Sequence, residues 1–345
     1  MITIGITTYN RIEIIRTMAR SLYESNLPSN CSIRIYDDAS TEFSTEKLRE
    51  IFPTAISIHR NKKNLGADRN TFSMYQDFLN SDDEYFFNAD SDLLFSNNWL
   101  ANALSILPHT DGILSLFNTP THPTINSTEK LCEKNSLGAA GTLFTWDRVK
   151  EICDAIHPDL EEYKNAKFEI DWTWSRYFRA NGVKLFCTKA SLVQHIGIWG
   201  ENAQAGSFDF GLDFKIDSIF NGQVMNDLIA ELLSLKWIRI PPSIYKIFPF
   251  KKIKENSKIV LYGAGHIGQY YYKLIRESGY CHIVAWVDKN PADCRDVSSP
   301  KKLQRLHYDY ILLATSKPTI AASMREDIAA IDPSLCSKIV TNDFE

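Results

Sequence analysis

Tyr85-Phe86-Phe87-Asn88-Ala89-Asp90-Ser91-Asp92 is an apolar run that stops abruptly in two acids one residue apart. The run reads as a buried strand over 84–88, with the acids standing where the strand ends. Two carboxylates so close cannot both face a core, because repulsion and desolvation would go uncompensated. A hard divalent cation held by oxygen ligands is one answer. Two solvated loop acids that cap the next helix are the other. Toward the N-terminus the same architecture repeats. Segments 2–7, 32–36 and 55–59 read as strands, and 11–24, 45–51 and 66–79 as helices. The first helix shows apolar spacing at Ile12, Ile15, Ala19 and Leu22. Such alternation implies an α/β fold with a parallel, doubly wound sheet, whose ligands sit beyond the C-terminal strand ends. Polar residues cluster there, at Thr7–Arg11, Asp37-Asp38 and Asn88–Asp92.

The 345 residues are 44% hydrophobic and 23% charged, which excludes a disordered or fibrous chain and suggests about two domains. A net charge of −4 provides no basic field, so nucleic acid is not expected as a partner. No uninterrupted apolar run reaches the ~18 residues of a spanning helix. Met1–Gly5 has no basic n-region, so no signal peptide is expected. The seven cysteines are odd in number and form no C-x-x-C pair, which reads as reduced cytoplasmic thiols.

The opening strand and turn, Asp37-Asp38, Asn64-Leu65-Gly66-Ala67-Asp68-Arg69-Asn70 and Asp90-Ser91-Asp92 occur in this order within the first 92 residues. The order resembles the family 2 glycosyltransferases of GT-A fold, over about residues 1–205. The resemblance implies that Thr8, Tyr9 and Arg11 hold the nucleotide and that Asp38 or Asp37 reads the base. It implies that Asn64, Gly66 and Arg69 line the nucleoside and diphosphate, and that Asp90 and Asp92 bind ribose and metal. The residue types agree: arginines suit phosphate, and Gly66 permits close backbone approach. For Arg69 a surface salt bridge with Asp68 or Asp77 is the plainer alternative.

Further on, helices are expected over 146–156 and 171–181, and an extended segment over 183–195. Glu169-Ile170-Asp171-Trp172 alone reads as simple helix N-terminal charge. The resemblance implies that Asp171, with Glu169 second, is the base that deprotonates the acceptor hydroxyl. It also implies that His195 completes the metal shell with Asp92 and Asp90, where neutral imidazole suits Mn2+ better than Mg2+. Trp199 and Glu201 lie in a Gly/Asn-rich loop, 197–206, expected to close over the donor; core packing is the alternative for Trp199.

Residues 206–256 form a connecting region with a helix near 225–237. Within 236–258 seven basic residues face one acid, interleaved with Trp237, Tyr245, Phe248 and Phe250. This stretch suits an anionic membrane surface or a packed interdomain linker. A second α/β unit, 257–345, opens with strand 258–262 and Gly263-Ala264-Gly265-His266-Ile267-Gly268, a G-x-G-x-x-G turn followed by a helix. Asp288 stands where a Rossmann acid bonds ribose. The turn resembles small Rossmann-like modules of bacterial surface-polysaccharide proteins. Three uses stay open: binding NAD or a sugar nucleotide, docking as a homo-oligomer, or a second reaction.

The combined expectation is a GT-A domain (1–205), a connecting region (206–256) and a Rossmann-like domain (257–345). The expected activity is metal-dependent, inverting transfer of a sugar, UDP-linked, to a bacterial surface glycan or lipid-linked precursor at the inner membrane face. The alternatives are a non-catalytic nucleotide-sugar-binding scaffold and an enzyme centred on the C-terminal domain.

Overall fold

The computed structural model describes residues 1–159, 168–198, 208–234, 247–290 and 296–342, without the side chains of Leu233 and Glu277. The chain divides into two compact units, Met1–Lys215 and Ile216–Glu345.

The first unit begins with β1 (Ile2–Thr8), α1 (Ile12–Glu24), β2 (Cys31–Asp37), α2 (Thr45–Ile51), β3 (Ala55–Arg60), α3 (Ala67–Phe78) and β4 (Tyr85–Asp90). It continues with β5 (Leu93–Phe95), α4 (Trp99–Ile106), β6 (Ile113–Ser115), β7 (Thr124–Ser127), β8 (Leu131–Lys134) and β9 (Thr142–Thr145). It ends with α5 (Trp146–Ala155), α6 (Ile170–Ala180), β10 (Leu185–Thr188) and β11 (Val193–His195). Nine strands form one sheet in the order β3-β2-β1-β4-β9-β6-β10-β8-β7, and β5 pairs with β11 in a separate ribbon.

Parallel pairing runs unbroken from β3 to β4 and recurs between β6 and β10. Beyond β4 the sheet turns mixed, because β9 runs antiparallel to both β4 and β6. The alternating stretch 2–88 thus forms a parallel half-sheet, as its pattern implies, and the later strands make the whole sheet mixed. The reason is the 113–145 stretch, which passes through β6, β7, β8 and β9 with no helix between them. The expected extended segment 183–195 is split between β10 of the large sheet and β11 of the ribbon.

Helices cover both faces. On one face α1, α2 and α4 bury Ile15, Met18, Leu22, Leu48 and Trp99 against Ile4, Ile6 and Phe87. On the other, α3, α5 and α6 bury Tyr75, Phe78, Ile152 and Trp174 against Phe86 and Phe144. Each such side chain removed from water contributes about 1.5–3 kcal/mol. Trp99 adds a hydrogen bond from its indole nitrogen to Ser25 Oγ at 2.9 Å, so its one polar atom is not orphaned.

The second unit contains α7 (Ile219–Ser234), β12 (Lys258–Tyr262), α8 (His266–Ser278), β13 (His282–Val287) and β14 (Val297–Ser298). It closes with β15 (Tyr310–Leu313), α9 (Pro318–Ile331) and β16 (Ile339–Val340). Its five strands are all parallel, in the order β14-β13-β12-β15-β16. Phe248 and Phe250 are buried among Tyr271, Tyr280 and Ile253 in its core. Two of the four interleaved aromatics are therefore packed inward, as the packed-linker alternative has it, and not presented to a lipid surface. Trp237 and Tyr245 lie outside the described residues, as do Trp199 and Glu201. Among the described residues no helix is long and apolar enough to cross a membrane.

Candidate active site

Strand β1 ends at Thr8, and Asn10 and Arg11 follow in the left-handed region, with φ of 49° and 57°. Asparagine tolerates that conformation; arginine adopts it here at a cost on the order of 1 kcal/mol. The loop after β2 holds the turn in place. Asn10 N donates to Ser40 Oγ at 2.8 Å, Asn10 Oδ1 accepts Thr41 N at 2.9 Å, and Arg11 N donates to Glu42 Oε2 at 2.7 Å. The result aims the Arg11 guanidinium at the end of β4, where Nη2 donates to Asp92 Oδ2 at 3.1 Å. Nη1 is buried and has no hydrogen-bond partner among the described residues.

Asp90 closes β4 and accepts Thr7 Oγ1 at 3.2 Å. Asp92 sits in the turn before β5, where β11 brings His195 opposite Leu93. His195 Nε2 lies 3.1 Å from Asp92 Oδ1, within ion-pair reach. Gly197 completes the contact: a Cβ there would stand 2.1 Å from Asp92 Oδ2.

The electrostatics separate the two acids. Burial and the neighbouring Asp92 charge push the Asp90 carboxyl up to about 6. Burial also opposes charge on Asp92, but His195 and Arg11 outweigh it and hold that carboxyl at about 2. Burial disfavours the charged imidazole of His195, and Asp92 overrides it, so its pKa is raised. Carboxylate oxygens beside an imidazole are ligand types that a divalent cation takes. Among the described residues no three acids, cysteines or histidines stand close enough to form a complete ligand cluster.

Asp171 lies in the first turn of α6, one residue inside its start at Ile170. Its Oδ1 accepts Trp172 N at 2.7 Å. Burial, and then the Asp68 charge, raise its carboxyl to about 6 against the backbone hydrogen bonds of Trp172 and Ala139. Asp68 accepts the Ile170 amide at 3.0 Å and so fixes the start of α6 on α3. Glu169 is the N-cap residue, half-buried, with its carbonyl accepting Thr173 N and Oγ1.

The other expected donor contacts are arranged as follows. Asp37 is fully buried and accepts Thr8 Oγ1 at 3.0 Å, Ser40 N at 3.1 Å and Arg60 Nε at 2.6 Å. Asp38 accepts Asn61 Nδ2 at 2.9 Å, Leu65 N at 2.8 Å and Gly66 N at 2.9 Å. It therefore holds the Asn64–Gly66 turn at the end of β2. Asn64 Oδ1 also accepts Gly66 N at 2.9 Å, and the space where a Gly66 Cβ would stand is open. Tyr9 is exposed. Arg69 points elsewhere: it pairs with Asp159 at 2.6 Å and donates to the Pro158 carbonyl at 3.1 Å. Neither Asp68 nor Asp77 is its partner, since Asp77 binds Arg34 at 3.2 Å and the Tyr36 hydroxyl.

The sequence marks Gly197 only as the start of the 197–206 loop, and His122 escaped the sequence reading. His122 lies near Asp171 across Gly138. No local motif marks it, since it falls in the irregular stretch before β7.

In the second unit Gly263 has φ 117°, and a Cβ on Gly268 would stand 1.9 Å from the Gly263 carbonyl oxygen. That glycine lets α8 pack directly on the turn. Gly265 faces open space. Asp288 accepts Ala264 N at 2.6 Å and Asn290 N at 2.9 Å, so its carboxylate closes the turn from inside.

No curated protein matches the sequence. Among solved structures, TarS 1–349 from S. aureus is similar at 15% identity and TM-score 0.42, over 71% of this chain and 68% of that one. The mannosyltransferase PcManGT from Pyrobaculum calidifontis, in complex with GDP-Man and Mn2+, shares 14% identity at TM-score 0.42, over 71% and 67%. GalNAc-T7 with UDP, GalNAc and Mn2+ shares 13% identity at TM-score 0.45, over 56% and 42%. A family model described as glycosyl transferase family 2 matches residues 3–174, which include Arg11, the Asp90–Asp92 turn and Asp171. Residues 3–174 are therefore a glycosyl transferase family 2 domain, and the protein is a glycosyltransferase.

Proposed function

We propose that the protein is a divalent-cation-dependent, inverting glycosyltransferase. It moves a sugar from a nucleotide-sugar donor, UDP-linked, to a hydroxyl of a bacterial surface glycan or its lipid-linked precursor. The arrangement at Asp92 carries this reading: Arg11 on one oxygen, His195 facing the other, and a buried guanidinium nitrogen left for an anion.

Asp92 and His195 would hold the cation, Mn2+ in preference to Mg2+, with Asp90 as the third ligand that the family resemblance implies, and when bound it would neutralise charge on the departing diphosphate. Arg11 Nη1 offers a hydrogen bond to the same diphosphate. Thr8, Tyr9, Asp38, Asn64 and Gly66 line the route to the nucleoside, with Asp37 anchoring the strand ends beneath them. Asp171 takes the proton from the acceptor hydroxyl, and a carboxyl near 6 is largely ionised at neutral pH while remaining a competent base. The acceptor oxygen bonds to the anomeric carbon as the bond from that carbon to the diphosphate oxygen breaks. The bonding electron pair leaves with the nucleoside diphosphate.

The test is thermal stability against UDP-, GDP- and dTDP-sugars with Mn2+, Mg2+ or EDTA, followed by transfer assays. Ligand at 100 times its Kd adds about 2.7 kcal/mol. The expected result is a cation-dependent shift with one UDP-sugar that is lost in Asp92→Asn. A shift that survives both EDTA and Asp92→Asn would overturn the site.

A further inference from the structure

Trp172 follows the base directly in sequence and is 38% exposed, one of few large apolar side chains at the surface. Its indole lies 5.3 Å from the His122 ring at 40°. His122 is itself held firmly. Its Nδ1 lies 2.8 Å from Ser136 Oγ, and its carbonyl accepts the Nζ of Lys134, which also holds the Thr119 carbonyl. Lys134 is 2% exposed, so a buried cation fixes the backbone beneath this aromatic pair. Burial lowers the His122 pKa, which keeps the ring neutral. Gly138 lies between His122 and the base: a Cβ there would stand 3.6 Å from His122 Nε2 and 4.0 Å from Asp171 Oδ2. Asp171 Oδ1 is engaged by Trp172 N, while Oδ2 faces this side.

An apolar ring face, a neutral imidazole edge and a carboxylate oxygen thus converge over a residue with no side chain. That combination matches a pyranose, which has an apolar C–H face and a rim of hydroxyls. Resting on the proposed transfer reaction, we infer that Trp172 and His122 form the acceptor subsite and that the acceptor presents a pyranose ring. The ring stacks on the Trp172 indole, His122 Nε2 bonds a rim hydroxyl, and the reacting hydroxyl reaches Asp171 Oδ2.

The test uses methyl gluco-, galacto- and mannopyranosides and methyl N-acetylglucosaminide as acceptors, against glucitol and ribitol as acyclic controls. Trp172→Ala should raise the acceptor KM about tenfold or more, with the donor KM moving less than about twofold. Trp172→Phe should recover most of the acceptor affinity. A pyranoside should also change the tryptophan fluorescence of the parent protein, and that change should vanish in Trp172→Phe. Equal use of alditols and pyranosides would overturn the inference, as would an acceptor KM indifferent to Trp172→Ala. A parent protein that neither hydrolyses nor transfers any nucleotide sugar would overturn the reaction reading itself, and is distinguished by that total silence.

Discussion

Asp171 stands out at the scale of single residues, because the features that suit it to catalysis cost stability. Its carboxyl is raised to about 6 in the folded chain against an ordinary value near 4. The fold therefore favours the protonated form. Its stabilising contribution is present below about pH 4 and is lost as pH rises through 6. Asp171→Asn should raise thermal stability at pH 8 by on the order of 1–2 kcal/mol, after allowance for screening, and leave stability at pH 4 little changed. The same variant should lower transfer by about 100-fold or more. In the parent, kcat/KM should fall as pH drops through about 6, read from the acid limb of a pH–rate profile. A second prediction concerns Gly197. Its missing Cβ leaves room for the Asp92 carboxylate, so Gly197→Ala should abolish the cation-dependent donor shift while the far-ultraviolet circular dichroism stays that of the parent. Part of this site is readable from sequence, because Asp90, Asp92 and Asp171 follow directly on strand or helix signals. Gly197 and His122 are not, because close approach across separate elements leaves no local pattern. Arg69 shows the converse: a phosphate-suited residue in a fitting motif, spent on Asp159.

Among the elements, the short ones escaped reading. The parallel strands β1 to β4 are six or seven residues long, and their apolar runs end in polar clusters. Strands β5 and β6 have three residues each, too few for any period to show. They are nonetheless decisive, since β5 carries the chain from Asp92 to its pairing with β11 and so brings in His195. In the second unit the tight element is the turn between β12 and α8. A Cβ at Gly268 would strike backbone, which cannot rotate away as a side chain can. Gly268→Ala should therefore destabilise that unit by about 3 kcal/mol or more, read as a lowered denaturant midpoint. Gly265→Ala, facing open space, should cost far less.

On the scale of the whole chain, each unit has its own sheet and its own buried clusters. Residues 216–345 expressed alone should fold, with dispersed amide resonances and a cooperative melt; a chain that stays unfolded would refute this. The G-x-G-x-x-G turn restarts a strand-helix pattern late in the chain and suggests a unit over 257–345, whereas the compact second unit runs from Ile216 and takes in most of the expected connecting region. The mixed half of the large sheet was not legible, because its order depends on pairings between distant strands. That order also bears on synthesis. Strands β1 to β4 can assemble as soon as they leave the ribosome, each parallel neighbour already made. The outer edge of β4 then waits for β9, which is translated seconds later at ordinary rates. During that interval the β4 edge keeps a row of unpaired backbone donors and acceptors, the kind of edge that invites pairing with another chain.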